Sequence, residues 1–476
     1  MPTTNGNRKI LDLKRWEFCT PCPVTTAAGN FIASSRNYRQ QQLFMSTTTV
    51  AYIYNPSEDG WIQIPSPALA GTLAAGASGT AAAFSTGTAT AASLSATAGT
   101  VSSITTNQTL AKDLRGYSIH ILSGPNSGST LPIVSNTIGT NAVISVATQS
   151  TAFTNANTFR LVTPTWYVVG SGTLAAGSFR KYDFATNTWT SLSITGLPAT
   201  IGTDGKLMST PSWIDEGYIP FSTGSVSSAT GTTLVDSTKA WTTNQWTNYQ
   251  VRIVTGTGAG QIRTISSNTG TTLTVPTWTT TPDATSTYSI EGNDDFLYYM
   301  GNNAVTMYRY SISANTWSTL SPVAARAAAP GTGMSGHWVW GATESDWTNE
   351  NAILNGRRIY SFRGNAGAVL DYYDIPGNTW VSGVTYSPQT ETFTTGTKYA
   401  YYGDYIYIQK DATGRFIRYN VPLSEATGYT TTTYPQGTAM IGDTMFDVSY
   451  HDGTTDIPYI YLLLNTSTIL LRQMVI

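Results

Sequence analysis

The chain has 476 residues, with 25 Lys and Arg against 27 Asp and Glu and a formal net charge of −2. Charged residues make up only 11 % of the sequence, against about 25 % in an average soluble domain. No cluster of Lys or Arg suggests a nucleic-acid groove or an anionic membrane surface, so neither partner is implied. The length suits several ordinary domains or one large repeat domain with insertions.

The hydrophobic pattern predicts an all-β protein. Leu, Glu, Lys and Ala do not recur at the period of a long helix, whereas β-branched and aromatic residues alternate with small polar ones. The first residues, MPTTNGNRKILDLKRWEFC, lack the apolar core of a secretory signal, and no run of about 18 apolar residues occurs. We therefore expect synthesis in a cytoplasm and no membrane span.

The first predicted strand lies in ILDLKRWEF, which contains Trp16, and CTPC follows with the only cysteines, Cys19 and Cys22. Zinc prefers four ligands, and the three histidines of the chain are far apart in sequence. We interpret the cysteines as two buried thiols near a strand end, with a redox pair or half of a zinc site as alternatives. We expect no metal and no cofactor.

One phrase recurs four times and ends each time on tryptophan. An aromatic strand runs through a polar turn in YIYNPSEDGW, RKYDFATNTW, YRYSISANTW and DYYDIPGNTW, which end at Trp61, Trp189, Trp317 and Trp380. Asparagine tolerates the left-handed backbone of a tight hairpin, and it stands two residues before Trp in the last three copies, as Asn187, Asn315 and Asn378. The phrase therefore predicts a repeated hairpin.

A second strand type precedes these phrases, and its spacing in the last part of the chain suits propeller blades of about 40 to 50 residues. Its six copies are LFMSTTT from Leu43, WYVVGSG from Trp166, LYYMGNN from Leu297, IYSFRGN from Ile359, IYIQKDA from Ile406 and IYLLLNT from Ile460. Together the two strand types resemble those of a Kelch repeat over about two thirds of the chain. The resemblance implies a six-bladed, Kelch-like β-propeller.

Two details qualify this resemblance. The double glycine that usually ends the second Kelch strand is reduced to single glycines, as at Gly170, Gly301 and Gly364. The last blade also lacks an outer strand, and an open ring would leave an unpaired sheet edge. We therefore expect the segment around Trp16 to pair with the last blade and to join the two chain ends.

Two long gaps between the predicted blades are explained by two copies of one small β-module. LRGYSIHILSGPNSGSTLPIVSN from Leu114 aligns without a gap to WTNYQVRIVTGTGAGQIRTISSN from Trp246, and both copies carry glycines where hairpins would turn. We place the modules at residues 96–163 and 223–291. The stretch 71–100, rich in Ala, Gly, Ser and Thr, is expected to be a flexible or loosely packed connection.

These assignments divide the chain into five parts, in which the modules interrupt the blades. The predicted parts are 1–70 with the closing strand and blade 1, 71–163 with the linker and first module, 164–222 with blade 2, 223–291 with the second module, and 292–476 with blades 3 to 6.

Motifs for catalysis are scarce. No Gly-x-Ser-x-Gly elbow occurs, and we interpret His337 as a packed strand residue, His120 as a surface strand residue and His451 as a turn residue. Propeller glycosidases use paired carboxylates, but most acidic candidates stand where turns favour aspartate; these are Asp294, Asp295, Asp346, Glu350, Asp371 and Asp374. Ion pairs between blades or subunits are assigned to Arg326, Arg357, Arg358 and Arg363. We expect no enzyme, with a propeller glycoside hydrolase as an alternative.

The insert phrase GTGAGQIRTI from Gly256 resembles a module of bacteriophage structural proteins. A propeller with such inserts is similar to the tail nozzle (tail tubular protein B-like) of short-tailed phages. This resemblance implies a virion protein, made in the host cytoplasm, that forms a hexameric ring of identical chains, binds a tail adaptor and contacts phage DNA transiently. The alternative is a capsid decoration or receptor-binding protein whose inserts bind glycans through exposed aromatic residues, for which the candidates are Trp241, Trp246 and Trp278.

Overall fold

The computed structural model describes most of the chain, and every regular element in that part is a β-strand. This confirms the predicted all-β class. No helix there is long and apolar enough to cross a membrane. The described residues are 16–26, 31–34, 43–46, 50–56, 58–66, 77–82, 94–209, 221–301, 303–338, 358–365, 367–385, 391–394, 396–402, 405–410, 416–421, 423–428, 444–451, 456–464 and 467–474.

The first strand of the chain stands apart from the four that follow it. β1 (Glu17–Phe18) pairs with the last strand of the chain, whereas the next four strands form one antiparallel sheet in chain order. Those four are β2 (Phe31–Ser34), β3 (Leu43–Ser46), β4 (Ala51–Asn55) and β5 (Gly60–Ile64).

The second sheet is interrupted by a closed six-stranded barrel. The sheet has the order β6-β13-β15-β16, and the barrel, β10-β11-β8-β7-β12-β9, lies in the connection between the first two of these strands. β14 and β17 form a separate two-stranded ladder. The strands are β6 (Ser78–Ala82), β7 (Leu94–Gly99), β8 (Ser103–Thr106), β9 (Ser118–Ser123), β10 (Thr130–Asn136), β11 (Val143–Val146), β12 (Thr158–Val162), β13 (Thr165–Val169), β14 (Gly172–Thr173), β15 (Phe179–Asp183), β16 (Thr188–Ser191) and β17 (Thr200–Ile201).

The third sheet carries a second barrel-like module at the same place, between its first and second strands. The sheet has the order β18-β27-β28-β29, and the module consists of the sheets β19-β26-β22-β23 and β20-β21-β25-β24. Its pairing follows that of the first barrel, with two of the long strands each divided in two. The strands are β18 (Lys206–Ser209), β19 (Ser222–Ser225), β20 (Ser228–Thr230), β21 (Thr233–Val235), β22 (Gln250–Thr255), β23 (Ile262–Thr264), β24 (Ser267–Asn268), β25 (Thr272–Thr274), β26 (Thr287–Glu291), β27 (Phe296–Met300), β28 (Met307–Ser311) and β29 (Thr316–Thr319).

The last three sheets follow in chain order without inserted strands in the described residues. The orders are β30-β31-β32-β33, β34-β35-β36-β37 and β38-β39-β40, and β1 completes the third as its fourth strand. The strands are β30 (His337–Trp338), β31 (Arg358–Gly364), β32 (Gly367–Asp374), β33 (Thr379–Val384), β34 (Lys398–Tyr402), β35 (Tyr405–Gln409), β36 (Phe416–Asn420), β37 (Glu425–Gly428), β38 (Thr444–His451), β39 (Asp456–Leu463) and β40 (Leu470–Met474).

Apolar side chains fill the space between each of these sheets and the next, and between the last sheet and the first. Trp166 joins Ile53, and Tyr310 joins Phe179, across the first two boundaries. The last boundary is closed by Tyr461 against Tyr54, whose ring centroids are 5.7 Å apart. The remaining three boundaries are filled in the same way. Four-stranded sheets packed face to face in a closed ring are the arrangement of a β-propeller.

In its described parts, 77–82 and 94–100, the stretch 71–100 is not the flexible connection that its composition predicts. It contains β6 and β7, and β6 is the first strand of the second sheet, next to β2 and β18. Sheets converge where their first strands meet, so small residues such as Gly79 and Ala81 fit this position. The predicted blade boundaries are wrong for the same reason, because β6 and β18 each lie before an inserted module.

The repeated hairpin phrase forms one contact in four sheets. A tyrosine hydroxyl donates a hydrogen bond to the side chain five residues later, which sits in the turn at positive φ. The Trp two residues further on packs against the same tyrosine. The pairs are Tyr54–Asp59 (2.5 Å), Tyr182–Asn187 (2.6 Å), Tyr310–Asn315 (2.7 Å) and Tyr373–Asn378 (2.7 Å).

At two junctions the same residues also bond one sheet to its neighbour. Trp317 Nε1 donates to the Ser193 carbonyl at 3.1 Å, and the Ser193 amide donates to Asn315 Oδ1 at 3.0 Å. At the junction of the chain ends, Trp61 Nε1 donates to the Thr20 carbonyl at 3.0 Å, and the Thr20 amide donates to Asp59 Oδ1 at 2.9 Å. The ring is therefore closed by the same pair of bonds that joins the second and third sheets.

We predict that Asn315→Ala lowers the free energy of unfolding by about 2–3 kcal/mol. Alanine would lose both hydrogen bonds of the amide and would have to hold a φ of 51°, which costs an L-residue about 1–2 kcal/mol by itself. Asn315→Gly should lower the free energy of unfolding by less, because glycine accepts the positive φ and only the two side-chain hydrogen bonds are lost. The measurement is denaturant unfolding followed by tryptophan fluorescence.

The exposed Asn141, also at a φ of 51°, provides the matched control. Asn141→Ala should show only the backbone cost, about 1–2 kcal/mol. Equal losses for Asn141→Ala and Asn315→Ala would contradict the assigned role of the Asn315 side chain.

Candidate functional site at the joint between the inserted modules

The three tryptophans predicted to bind glycans are not on the surface. Trp241, Trp246 and Trp278 are 5 %, 1 % and 4 % exposed and belong to the core of the second module. Trp246 occupies the position of Leu114 in the first module, and both side chains are fully buried. The prediction of an aromatic binding surface is therefore wrong, because a barrel built from very short strands needs large side chains to fill its interior.

His120 is also buried, contrary to its interpretation as a surface residue. Its neighbours on β9, Ile119 and Ile121, point into the first barrel core. Side chains alternate along a strand, so His120 points outward, yet none of it is exposed. A second body must cover this face of the barrel.

That second body is the other module. On β22, Val251 and Ile253 lie in the core of the second module, whereas Arg252 points outward and is 8 % exposed. His120 and Arg252 occupy equivalent positions of the two copies. The modules therefore pack through equivalent faces, and we call this contact the joint.

The turns after β9 and β22 cross each other in a nearly symmetric way. A Cβ built on Gly128 would lie 3.0 Å from the Val254 carbonyl oxygen, and a Cβ built on Gly260 would lie 2.5 Å from the Leu122 carbonyl oxygen. Ser127 Oγ donates to the Ala259 carbonyl at 2.5 Å. Gly128 and Gly260 are equivalent in the two copies, as are Leu122 and Val254, so the joint has local two-fold pseudosymmetry.

The centre of the joint holds charged side chains. Arg160 on β12 lies 3.6 Å from Asp294, which also accepts a hydrogen bond of 3.0 Å from Gln250. Arg252 pairs with the fully buried Glu291, which accepts a further hydrogen bond from Ser289. Buried charges persist when they are paired, and both guanidinium groups have a carboxylate.

Burial is the main cause of the pKa shifts of Glu291 and His120 in the joint. It raises the pKa of Glu291, although Arg252 and Ser289 oppose the shift. It lowers the pKa of His120 to about 3, and Arg252 and Arg160 add to this effect because a third positive charge is disfavoured beside them. The His120 ring is therefore neutral at physiological pH, and its Nδ1 lies 2.9 Å from Thr130 Oγ1.

The other predicted site residues form separate structural contacts. Asp371 accepts hydrogen bonds from Arg326 at 2.7 Å and from Arg363 at 2.8 Å. Asp295 binds the Ser313 amide and Asp374 binds the Gly377 amide, both in turns. His337 lies in β30 and His451 ends β38, but their side chains, like Asp346, Glu350 and Arg357, lie outside the described residues.

Arg358 and the cysteines have structural surroundings as well. The Arg358 guanidinium lies 3.9 Å from the centre of the Tyr372 ring. Cys19 and Cys22 are buried thiols in the segment after β1, as predicted, and burial raises the pKa of both. Within the described ranges, no three His, Cys, Asp or Glu residues are grouped as metal ligands.

The joint was not predicted from the sequence, although the sequence contains one signal for it. The glycine turns align in the two copies at a constant offset, and such glycines also permit close approach of two backbones. The charged residues of the joint did not indicate it in the sequence, because outward-facing positions on a strand are ordinarily solvated.

We predict that Gly260→Ala destabilises the protein by about 1–3 kcal/mol beyond the cost of its positive φ. The new methyl group would meet the Leu122 carbonyl across the joint, and overpacking typically costs this much. Thermal unfolding would measure the loss. Gly172, at a φ of 77° with nothing within 4 Å of a built Cβ, is the control; if Gly172→Ala costs as much, the close approach at Gly260 is not limiting.

No known protein family and no curated protein matches the sequence. Similar solved structures include the following two, both at low identity. The crystal structure of the mitotic checkpoint complex has 8 % identity and a TM-score of 0.35, covering 97 % of this chain and 94 % of that chain. The Saccharomyces cerevisiae Sqt1 structure has 9 % identity and a TM-score of 0.32, covering 96 % and 97 %. Likeness at this level adds nothing to the fold described above, which depends on the sheet pairing itself.

Proposed function

We propose that this chain is a structural protein of a bacteriophage particle, a six-bladed Kelch-like propeller that works as a tail nozzle or hub. The observation that carries the proposal is the duplicated module, whose phrase GTGAGQIRTI from Gly256 resembles that of phage structural proteins. In this interpretation the protein forms a hexameric ring in the virion, binds a tail adaptor and lets DNA pass through its centre.

The surroundings of the acidic residues support a structural role without catalysis. The carboxylate of Asp371 is fully buried between two arginines, and those of Asp295 and Asp374 hold turns. A general acid or nucleophile needs access to substrate, which none of these three arrangements favours.

The glycan-binding alternative has lost its main support. It depended on exposed aromatic residues of the inserts, and Trp241, Trp246 and Trp278 lie in the core of the second module. A receptor-binding role would need another surface, so the nozzle remains the better supported proposal.

Light scattering on the purified chain, followed by negative-stain imaging, tests the proposal. The expected result is a mass near six times the 51.0 kDa of one chain and a ring with a central channel. A stable monomer at all concentrations would count against the nozzle and favour a decoration or receptor-binding protein. Binding on a glycan array would then separate those two roles.

A further inference from the structure

The joint between the two inserted modules buries polar and charged side chains, with His120 fully buried and the Arg160 side chain 13 % exposed. His120, Arg160 and Arg252 all point away from their own barrel cores, since their strand neighbours fill those cores. Contacts that bury many polar and charged groups are typical of interfaces that open, whereas permanent ones are mainly apolar. Each module also has its own ladder of strands, so opening would not break either one.

Each arginine of the closed joint already has a carboxylate opposite it. Arg160 faces Asp294, Arg252 faces Glu291, and Asp295 lies near Arg160 at the edge of the cluster. The two arginines are the charged groups that disfavour a proton on His120. A proton on His120 would therefore place a third cation in a buried site without adding an anion.

We propose that the joint is an acid-operated device: it is closed at neutral pH and opens when His120 takes up a proton, while the propeller ring stays intact. The device does not depend on the proposed role in a virion. The two modules hold one fixed arrangement in neutral solution and move independently of each other in mild acid.

The expected size follows from proton linkage. In the open joint His120 is solvated and has an ordinary pKa of about 6.5, whereas burial lowers it to about 3 in the closed joint. Between these values the open form binds more protons, so acid favours opening. The contribution of His120 to the opening equilibrium therefore grows about 50-fold between pH 6.5 and pH 4.5.

Glu291 acts in the opposite direction. Its pKa is raised in the closed joint, so the closed form takes up this proton more readily and acid stabilises it. The variant His120→Gln keeps a neutral polar side chain and leaves Glu291 unchanged. Comparing the two proteins isolates the contribution of His120.

The experiment measures thiol labelling of the full chain at a residue inside the joint. Ser289 points outward on β26 and is 2 % exposed, so Ser289→Cys reports opening. Ser266→Cys, at an exposed position of the same module, supplies the reference rate at each pH. The ratio of the two rates cancels the intrinsic pH dependence of the reagent, and mass spectrometry locates the label.

With His120 present, the labelling ratio should rise between pH 6.5 and 4.5, and it should rise about 50-fold relative to the His120→Gln background. Equal pH dependence in the two backgrounds would overturn the proposal. So would labelling of the buried Cys19 at the same pH and rate, because that would indicate unfolding of the ring. If Ser289→Cys does not fold, Ser127→Cys reports the same joint from the first module.

Discussion

Replacing Trp16 with alanine should lower the free energy of unfolding by about 3–5 kcal/mol, the usual cost of removing a buried Trp. Trp16 is 6 % exposed and packs edge to face on Phe416, with ring centroids 5.8 Å apart. It directly precedes β1, which pairs with β40 through Glu17 opposite Arg472. The loss should appear in denaturant and thermal unfolding, because Trp16 fills the contact between the last two sheets of the ring.

Phe18 is the matched control for this prediction. It lies in the same short strand, opposite Leu471, but is 65 % exposed. Phe18→Ala should change stability by about 0.5 kcal/mol or less, as exposed substitutions usually do. If both variants lost the same stability, the closing segment would act through its strand pairing and not through the Trp16 side chain.

Replacing Asp371 with alanine should cost about 3–5 kcal/mol, because it would leave buried positive charge without a partner. Arg326 is 1 % exposed in its side chain and bonds to this carboxylate at 2.7 Å, and Arg363 adds a second pair at 2.8 Å. Burial alone would raise the pKa of Asp371, but Arg363 and Arg326 hold it below its ordinary value. The guanidinium of Arg326 also lies 4.8 Å from the Trp380 ring centre.

The control for Asp371 is Asp374, three residues along the same strand. Asp374 accepts one hydrogen bond, from the exposed Gly377 amide at 2.8 Å. Asp374→Ala should therefore cost about 1 kcal/mol, measured by the same unfolding assay. A loss at Asp371 no larger than that would mean that water enters and solvates the two arginines.

Several features of the fold could be predicted from sequence because local chemistry specifies them. The turns at Asn187, Asn315 and Asn378 need residues that accept positive φ, and the tyrosine and tryptophan around them repeat at fixed spacing. Strand alternation identified the all-β class. The need to pair a free sheet edge led to the segment around Trp16, which lies directly before β1, the partner of β40.

Other features depend on what surrounds a residue, which alternation along one strand cannot show. The pattern placed His120 on the outer face of a strand correctly, but only the position of the second module decides that this face is buried. In the same way, Trp241, Trp246 and Trp278 look like exposed aromatics in a polar sequence until eight short strands close around them.

The sequence by itself determined the strands, the repeated hairpins and the duplication of the module, because these depend on side-chain chemistry over a few residues. The tertiary structure alone decided that stretch 71–100 supplies the first strand of a sheet, and that two modules of similar sequence meet face to face. Burial is a property of two surfaces in contact, and packing between segments more than a hundred residues apart leaves no periodic signal in either one.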